Sequence, residues 1–333
     1  MSRATPTRRA ATIATLGAAL VALAGAAPGA RAQDAFPKGS VTLIVPYAAG
    51  GGVDTVARVV AEELRARWNK PVVVENAPGA SGMIAAARVT RAAPDGLTIL
   101  LAAAGEIAVN PHLLKGKMTY DPATGLAPVA FAARIPNVLV VGKDGPATLA
   151  AFLEQAKAGK VSYASSGVGN PQHLAGALLS RTANVPLNHV PYKGAAQQTS
   201  DVMAGHVDAT FASVAAVQPF IAGNRLKPLA VTSAERIPAL PDVPAIAEAP
   251  GLAGYELVNW FGFFAPGKTP APAIAALHAA ISEALAKPAI QERLTSIGAY
   301  SKPMSTDEFR AFIKAESDKF GAIIDQAGIT AEQ

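Results

Sequence analysis

Short apolar runs alternate with amphipathic helical patterns along the first part of the chain. In order, the apolar runs and the helical patterns that follow them lie at residues 41–45 and 55–68, 72–75 and 81–91, and 97–101 and 107–114. Val56, Val59, Val60 and Leu64 fall at helical spacing and give the first helix one apolar stripe. The alternation predicts βαβ units and a parallel sheet.

A second set of such units occupies the middle of the chain. Its predicted strands lie at residues 138–141, 161–164, 187–190, 207–211 and 229–231. After a proline-rich turn, an extended aromatic run at residues 255–264 leads into terminal helices, where Ser305 and Glu308 have the spacing of a capping box. These helices have apolar faces but no sheet of their own, so we expect them to pack back on the first set.

This organisation predicts an α/β fold with two α/β lobes, parallel-rich sheets and a central cleft. Residues 33–134 and 256–333 would form a discontinuous first lobe, and residues 135–255 the second. The chain would therefore cross between the lobes twice, near residues 132–136 and 258–261, and the two crossovers would form a hinge.

The N-terminal segment has the pattern of a signal peptide. Three arginines in the first nine residues precede an Ala/Leu/Val-rich stretch at residues 10–27, and Ala-Arg-Ala at residues 30–32 is a small-x-small cleavage site. We expect residues 1–32 to be removed and the mature protein to reach the periplasm. Export would use the Sec route or, because two arginines are adjacent, the twin-arginine route. A membrane anchor is the alternative, but the stretch is short and interrupted by Gly and Pro.

Charge and cysteine content exclude several classes of protein. The signal carries four of the 29 basic residues, which leaves 25 against 24 acidic ones and gives no support for nucleic-acid binding. The lack of cysteine excludes disulfides, thiolate metal sites and cysteine nucleophiles. The five histidines form no H-E-x-x-H pair, so we predict no metal site and no cofactor. We also expect a monomer.

The candidate chemistry lies in loops that follow predicted strands, because the carboxyl ends of parallel strands deliver helix N-termini to one crevice. Residues 46–54 (PYAAGGGVD) place three glycines before a helix that Asp54 can cap; a plain tight turn is the alternative. In residues 78–82, the Ser81 hydroxyl is available for capping or for ligand. Residues 165–173 (SSGVGNPQH) combine two hydroxyls with a helix start and form the best anion cradle.

Enzyme motifs are incomplete. The sequence PGASGM departs from the G-x-S-x-G elbow at its last position, and the glycine triplet is not followed by the lysine of a phosphate loop. The rival to a binding protein is a two-lobed hydrolase or transferase with Ser165 or Ser166 as nucleophile and His173 as base. That reading needs an orienting acid, which the sequence does not mark. We therefore predict a binding protein and not an enzyme.

Seven stretches, in order across almost the whole mature chain, resemble the tripartite tricarboxylate transporter receptors, also called Bug receptors. They are VTLIVPYAAGGGVD, PVVVENAPGASG, AAPDGLTIL, YASSGVGNPQHLAG, HVPYKGAA, LAVTSAERIPALPDVPAIAEA and NWFGFFAPGKTP. The resemblance implies a type II periplasmic binding protein fold that closes on a small carboxylate and hands it to a two-component membrane transporter. A sensor that reports ligand occupancy to a membrane signalling partner is an alternative.

The resemblance also implies which residues contact ligand. They are Pro46, Tyr47, Ala49, Gly50, Gly51, Asp54, Ala104, Glu106, Ser165, Ser166, Gly167, Asn170, His173, Gly194, Ala195 and Ser213. This chain departs from the family pattern at Ala49, where relatives usually have proline, and at Glu106, where they have a small hydroxylic residue.

Glu106 bears on the identity of the ligand. A carboxylate about 4 Å from a ligand carboxylate costs about 4 kcal/mol at an effective dielectric constant of 20. If Glu106 faces the cleft, it favours an amino acid or N-heterocyclic acid over a plain dicarboxylate. In the alternative, Glu106 turns to solvent or caps the short helix after Gly105.

Overall fold

The computed structural model describes residues 36–159, 161–192 and 195–331. The chain divides into two compact units, Met1–Lys38 and Gly39–Gln333. Residues 36–38 are the only described part of the first unit, and the predicted signal segment lies outside the described residues. The second unit contains all the helices and strands reported below.

Nine strands form one sheet in the described part of the second unit. They are β1 (Val41–Val45), β2 (Val72–Asn76), β3 (Thr98–Ala103), β4 (Leu126–Gly142), β5 (Ser162–Ser165), β6 (Asn188–Pro191), β7 (Ala209–Ser213), β8 (Leu226–Val231) and β9 (Val258–Pro266). Their order is β2-β1-β3-β9-β4-β7-β5-β6, and β8 pairs with β4. Each predicted strand overlaps one of these, because alternation and β-branched content are properties of the local sequence.

Parallel pairing holds within each of the two predicted sets. Strand β1 is parallel to β2 and β3, and β5 is parallel to β6 and β7. Strands β4 and β9 are antiparallel to their neighbours. We call β1, β2 and β3 the first half of the sheet and β5, β6 and β7 the second half. In both, the helices follow the carboxyl ends of the strands.

The long strand β4 joins the two halves. Its residues up to Pro136 pair with β9, and from Asn137 onward it pairs with β7 and β8. The two predicted crossovers therefore lie side by side, with Arg134 opposite Trp260. The two lobe boundaries given above stay a prediction.

Eleven helices of the α type surround the sheet in the described part of the chain. They are α1 (Gly52–Trp68), α2 (Met83–Thr90), α3 (Asn110–Leu113), α4 (Pro122–Gly125), α5 (Leu149–Lys157), α6 (Pro171–Thr182), α7 (Ala195–Ala204), α8 (Val214–Ala222), α9 (Ala271–Leu285), α10 (Pro288–Ser296) and α11 (Thr306–Ala327). Two 3₁₀ turns, Ala80–Gly82 and Lys115–Lys117, and a π-helical turn, Gly105–Val109, lie between them, and a third 3₁₀ turn, Ile246–Glu248, precedes β9.

The terminal helix α11 begins at the predicted capping box. Ser305 Oγ accepts the Glu308 amide at 3.2 Å, and the Glu308 carboxylate accepts the Ser305 amide at 2.8 Å. The helix packs on the Gly105–Val109 turn and on β4, as expected, and also on α6 of the second set. Its Phe309 lies edge-on to Trp260 in the core.

No single helix in the described ranges is long and apolar enough to cross a membrane; only α9 and α10 together, bent by 72°, have that length and composition.

Candidate functional site

Two helix N-termini meet the same stretch of β4. Helix α1 begins at Gly52, where a Cβ atom would lie 3.8 Å from the side chains of Ile135 and Phe261. Helix α8 has Ser213 as its N-cap, and Ser213 lies opposite Asn137 in the β4–β7 ladder. Ile135 and Asn137 are two residues apart, so they share a face of β4 and lie about 7 Å apart. We use the term cleft floor for Ile135 and Asn137 of β4 together with the N-termini of α1 and α8.

Asn137 is the unpaired donor of the cleft floor. The residue is 5% exposed, and its Nδ2 atom has no hydrogen-bond partner among the described residues. Its backbone amide donates to Thr232 Oγ1 at 2.9 Å, so only the side-chain amide is unsatisfied. Ser213, which is half-buried, makes no capping bond with its hydroxyl. A buried donor left unpaired costs about 1–3 kcal/mol, which a ligand oxygen would recover.

The sequence prediction included Ser213 but missed Asn137. The signal was present, since asparagine is the one hydrogen-bonding side chain in the strand segment IPNVLVV, whose other members are apolar and buried. Gln198, in the first turn of α7, was missed as well. It is fully buried, and neither side-chain amide atom has a partner within the described ranges.

Hydrogen bonds to the Asp54 carboxylate hold the glycine loop of the first half, residues 46–54, in place. The Asp54 carboxylate accepts hydrogen bonds from the Gly50 amide at 2.8 Å, from Arg58 Nε at 2.9 Å and from Asn76 Nδ2 at 2.9 Å. Burial raises the pKa of Asp54, but the three hydrogen bonds and the Arg58 charge outweigh it and lower the pKa below its ordinary value. The N-cap of α1 is Gly51, so the prediction that Asp54 is the capping residue is wrong: it lies in the first turn and secures the loop.

The remaining residues of this loop differ in exposure. Pro46 is buried and Tyr47 is half-buried, whereas Ala49 and the two following glycines, Gly50 and Gly51, are exposed. Ligand contact by this loop stays a prediction.

Glu106 is fully buried, so the alternative that it turns to solvent is wrong. Its Oε1 accepts the Tyr47 hydroxyl at 2.5 Å, and its Oε2 accepts the Ala103 amide at 2.8 Å. The capping alternative is wrong as well, because no side chain caps the π-helical turn, whose N-cap is Ala104; the Ala103 amide that Glu106 accepts belongs to the end of β3. Burial raises the pKa of Glu106 to about 7, against the hydrogen bonds from Tyr47 and Ala103.

The turn that carries Ser81 does not use its hydroxyl. Ser81 is exposed with φ of 52°, and no side chain caps either the 3₁₀ turn or α2. The predicted capping role is therefore wrong. Its carbonyl accepts Asn110 Nδ2 at 3.0 Å. The neighbouring Gly82 is required by space, because a Cβ atom there would lie 1.9 Å from Glu106 Oε1.

The predicted anion cradle at residues 165–173 satisfies most of its own donors. The amide of Ser166 donates to Gln172 Oε1 at 2.8 Å, and that of Gly167 to Ser165 Oγ at 3.2 Å. Asn170 is the N-cap of α6 and accepts the His173 amide at 2.9 Å. These bonds order the loop, so its predicted ligand contacts would have to compete with them.

His173 belongs to the packing of this loop. Its Nδ1 accepts the Gly169 amide at 3.0 Å, and its ring stacks on that of His189 with centroids 3.7 Å apart. Burial, together with the neighbouring His189, lowers the pKa of His173 to about 3, and burial lowers that of His189 to about 4. Both rings are therefore neutral at physiological pH.

The arrangement proposed for a hydrolase is not formed. Ser165 Oγ lies 2.6 Å from His189 Nε2, whereas His173 Nδ1 accepts a hydrogen bond from the Gly169 amide. Ser165 is also fully buried. Within the described part of the chain, no carboxylate bonds either histidine ring.

The loops of the two halves touch each other. A Cβ atom on Gly169 would lie 1.9 Å from Leu113 Cδ2, so α3 of the first half lies against the second-half loop. Of the last predicted contacts, Gly194 lies outside the described residues, and Ala195 is the first residue of α7.

Comparison with known proteins gives a consistent result. The model of the tripartite tricarboxylate transporter family receptor matches residues 56–329. A UPF0065 protein from the tcbD–tcbE intergenic region of Pseudomonas sp. (strain P51) is 37% identical over 318 residues, covering 94% of each chain. The structure of R. palustris Rpa4515 with adipate has a TM-score of 0.80 and 34% identity, over 89% of this chain and 99% of that one. Periplasmic binding protein BugD has a TM-score of 0.76 and 34% identity, over 89% and 99%.

These matches confirm the predicted fold class, that of type II periplasmic binding proteins. The family and its solved members are substrate-binding proteins and not enzymes.

Proposed function

This chain belongs to the tripartite tricarboxylate transporter receptor family, and from that premise we propose that it captures a small organic carboxylate and delivers it to a two-component membrane transporter. It would do so in the periplasm, after removal of residues 1–32, and as a monomer. The similar protein Rpa4515, whose structure contains adipate, supports a carboxylate as the ligand class.

The cleft floor is the observation that carries this proposal. The N-termini of α1 and α8 have no side-chain cap at Gly51 and Ser213, and the first amides of a helix have no partner within the helix. These amides and the positive end of the helix dipole suit a carboxylate without an arginine. Asn137 adds a buried amide that lacks a partner among the described residues. These donors come from both halves, which supports an anion site between them.

The number of donors matches the affinity that a receptor needs. A dissociation constant of 1 μM corresponds to about −8 kcal/mol. Hydrogen bonds to a charged group contribute about 1.5–3 kcal/mol each, so roughly three to five suffice before ordering costs. The Asn137 amide, the Ser213 hydroxyl and the first amides of the two helices supply that number.

A thermal-shift screen of the mature protein tests the ligand class. The screen contains mono-, di- and tricarboxylates, adipate among them, with amino acids and neutral amides of the same size. A ligand at 100 times its dissociation constant adds about 2.7 kcal/mol of stability. Stabilisation by carboxylates but not by the matched amides is the expected result. A protein that no carboxylate stabilises would rule out the proposed ligand class.

The Asn137→Ala variant tests whether the ligand binds at the cleft floor. The variant removes the unpaired amide, so we expect it to fold as the wild type does and to bind the best carboxylate at least tenfold more weakly, about 1.4 kcal/mol. Asn188→Ala is the matched control, because Asn188 is an exposed residue of β6. Equal affinity for the two variants in isothermal titration would place the ligand elsewhere.

A further inference from the structure

The two sides of the cleft floor differ in which hydrogen-bond donors lack a partner. On the side of the second half, Asn137 Nδ2 has no partner in the described part of the chain. On the side of the first half, the amide at the end of β3, that of Ala103, donates to Glu106, and so does the Tyr47 hydroxyl. The protein's own carboxyl group thus occupies two donors that would otherwise suit an anion.

The position of Glu106 connects this difference to the ligand. Tyr47 belongs to the loop that ends at Gly51, the N-cap of α1, so the residue that bonds Glu106 and the helix start at the cleft floor are parts of one loop. A Cβ atom on Gly105 would lie 3.5 Å from the Tyr47 hydroxyl, which places the loops after β1 and β3 in contact there. A ligand that extends from the cleft floor along this loop would approach the Tyr47–Glu106 pair.

We propose that Glu106 excludes a second carboxylate from the cleft, so that the ligand is a small monocarboxylate whose other end is neutral or cationic. This inference rests on the proposed function, because it concerns the ligand of the same site. It deepens that function by assigning the selection between monocarboxylates and dicarboxylates to one residue.

In the described ranges, no basic side chain pairs with the Glu106 carboxylate. The Glu106 carboxylate accepts hydrogen bonds from the Tyr47 hydroxyl, from the Ala103 amide and from its own backbone amide, and Tyr120 donates to the Glu106 backbone carbonyl at 2.7 Å. Of the described residues, no cation contributes to the pKa of Glu106, which burial raises to about 7. A second anion beside it is therefore repelled above that pH, whereas an ammonium group is attracted.

Glu106 cannot yield its position easily. Its carboxyl group lies directly over Gly82, where even a methyl group would collide with it, and both of its oxygens are bonded. Swinging it aside would break the Tyr47 and Ala103 bonds and leave a buried donor unpaired. The Glu106 carboxyl group is therefore fixed in place, and a simple rotation of this side chain cannot make room for a dicarboxylate.

Two matched sets of ligands test the proposal by isothermal titration at pH 8. The first set is hexanoate, adipate and 6-aminohexanoate, and the second is butyrate, succinate and 4-aminobutyrate. Within a set the chain length is constant and only the far end changes from neutral to anionic to cationic. We expect the wild-type protein to bind the dicarboxylate at least tenfold more weakly than the other two members of the better-binding set.

Glu106→Gln removes the charge and retains an acceptor oxygen, and Glu106→Ala removes the group. We expect both variants to bring the dicarboxylate within about threefold of its neutral counterpart, mainly by tightening the dicarboxylate. Glu316→Gln is the control: Glu316 is another buried acid, 6% exposed on α11 and paired with Lys319, and its replacement should leave the ratio unchanged. A cooperative thermal transition establishes that each variant is folded.

The wild-type protein gives a second measurement that needs no variant. Lowering the pH from 8 to 6 protonates Glu106, so the preference against the dicarboxylate should shrink in the wild type and stay flat in Glu106→Gln. Equal binding of dicarboxylate and monocarboxylate by the wild type, or an unchanged ratio in folded Glu106→Gln, overturns this inference alone. If none of the six acids binds and no carboxylate of the thermal-shift screen stabilises the protein, the proposed function fails and this inference fails with it.

Discussion

Replacing Glu106 with glutamine should change how the stability of the unliganded protein depends on pH. The pKa of Glu106 rises from 4.5 to about 7 on folding, because burial disfavours the charged form. The folded state therefore holds this proton more tightly than the unfolded state. Its contribution to stability is fully present below about pH 4.5 and is lost as the pH rises through about 7.

The magnitude follows from the two pKa values. At about 1.4 kcal/mol for each pH unit between them, ionising Glu106 costs the folded protein about 3 kcal/mol. Glutamine does not ionise, so the variant escapes this cost. At pH 4.5 the variant should be about 1 kcal/mol less stable than the wild type, because its single carbonyl oxygen replaces an oxygen pair that accepts from Tyr47 and Ala103.

Urea unfolding followed by circular dichroism between pH 4.5 and 8.5 measures the effect. The free energy of unfolding of the variant minus that of the wild type should rise by about 3 kcal/mol across this range and change sign on the way. Taking the difference cancels groups common to both proteins, including the two stacked histidines. Glu154→Gln, an exposed acid, is the control and should give a flat difference. Parallel pH profiles for wild type and variant would show that Glu106 is not held as described.

Three further predictions concern stability. Gly82→Ala should lower the unfolding free energy by at least about 2 kcal/mol, because Gly82 has φ of 81° and a Cβ atom there would lie 1.9 Å from Glu106 Oε1. Gly116→Ala is the control in the same urea titration and should be neutral, because a Cβ atom at Gly116 meets no other atom within 4 Å. Burial lowers the pKa of His173 to about 3, so the contribution of this residue to stability is full above about pH 6.5 and is lost as the pH falls. Protonation of Glu106 acts in the opposite direction over this range, so the test is a difference: the unfolding free energy of the wild type minus that of a folded His173→Gln variant should fall by a few kcal/mol between pH 6.5 and 4, and a constant difference would contradict the burial of a neutral His173. Ser305→Ala should cost about 1 kcal/mol by removing the cap of α11, and a midpoint equal to that of Ser301→Ala would contradict the capping role.

Local elements could be predicted because their causes are local. Strand β1 has the predicted bounds, since Val41–Val45 is a short apolar run between turn residues. The capping box of α11 needs only the types of two residues at fixed spacing, and both of its bonds are formed.

The extent of β4 could not be predicted in this way. The sequence indicated a strand at residues 138–141, but β4 runs over 17 residues, Leu126–Gly142, through Pro128 and Pro136. Proline removes a ladder donor and argues against a strand interior. The strand persists because β9 pairs with its first part and β7 and β8 with its last, which is a property of the assembled sheet.

The candidate site also has some features that could be predicted from the sequence and others that could not. The sequence by itself determined which loops carry glycines, hydroxyls and helix starts, because those features depend on residue type and spacing. Only the tertiary structure decided which donors stay open. It engaged the Ser166 and Gly167 amides within their own loop, buried Glu106 on Tyr47 and Ala103, and left Asn137 without a partner among the described residues. The bond from Tyr47 to Glu106 joins residues 59 apart in the sequence, and it forms because β1 and β3 are neighbours in the sheet. The bonds of the Ser166 and Gly167 amides depend on the backbone conformation of their loop, which residue type and spacing alone do not specify.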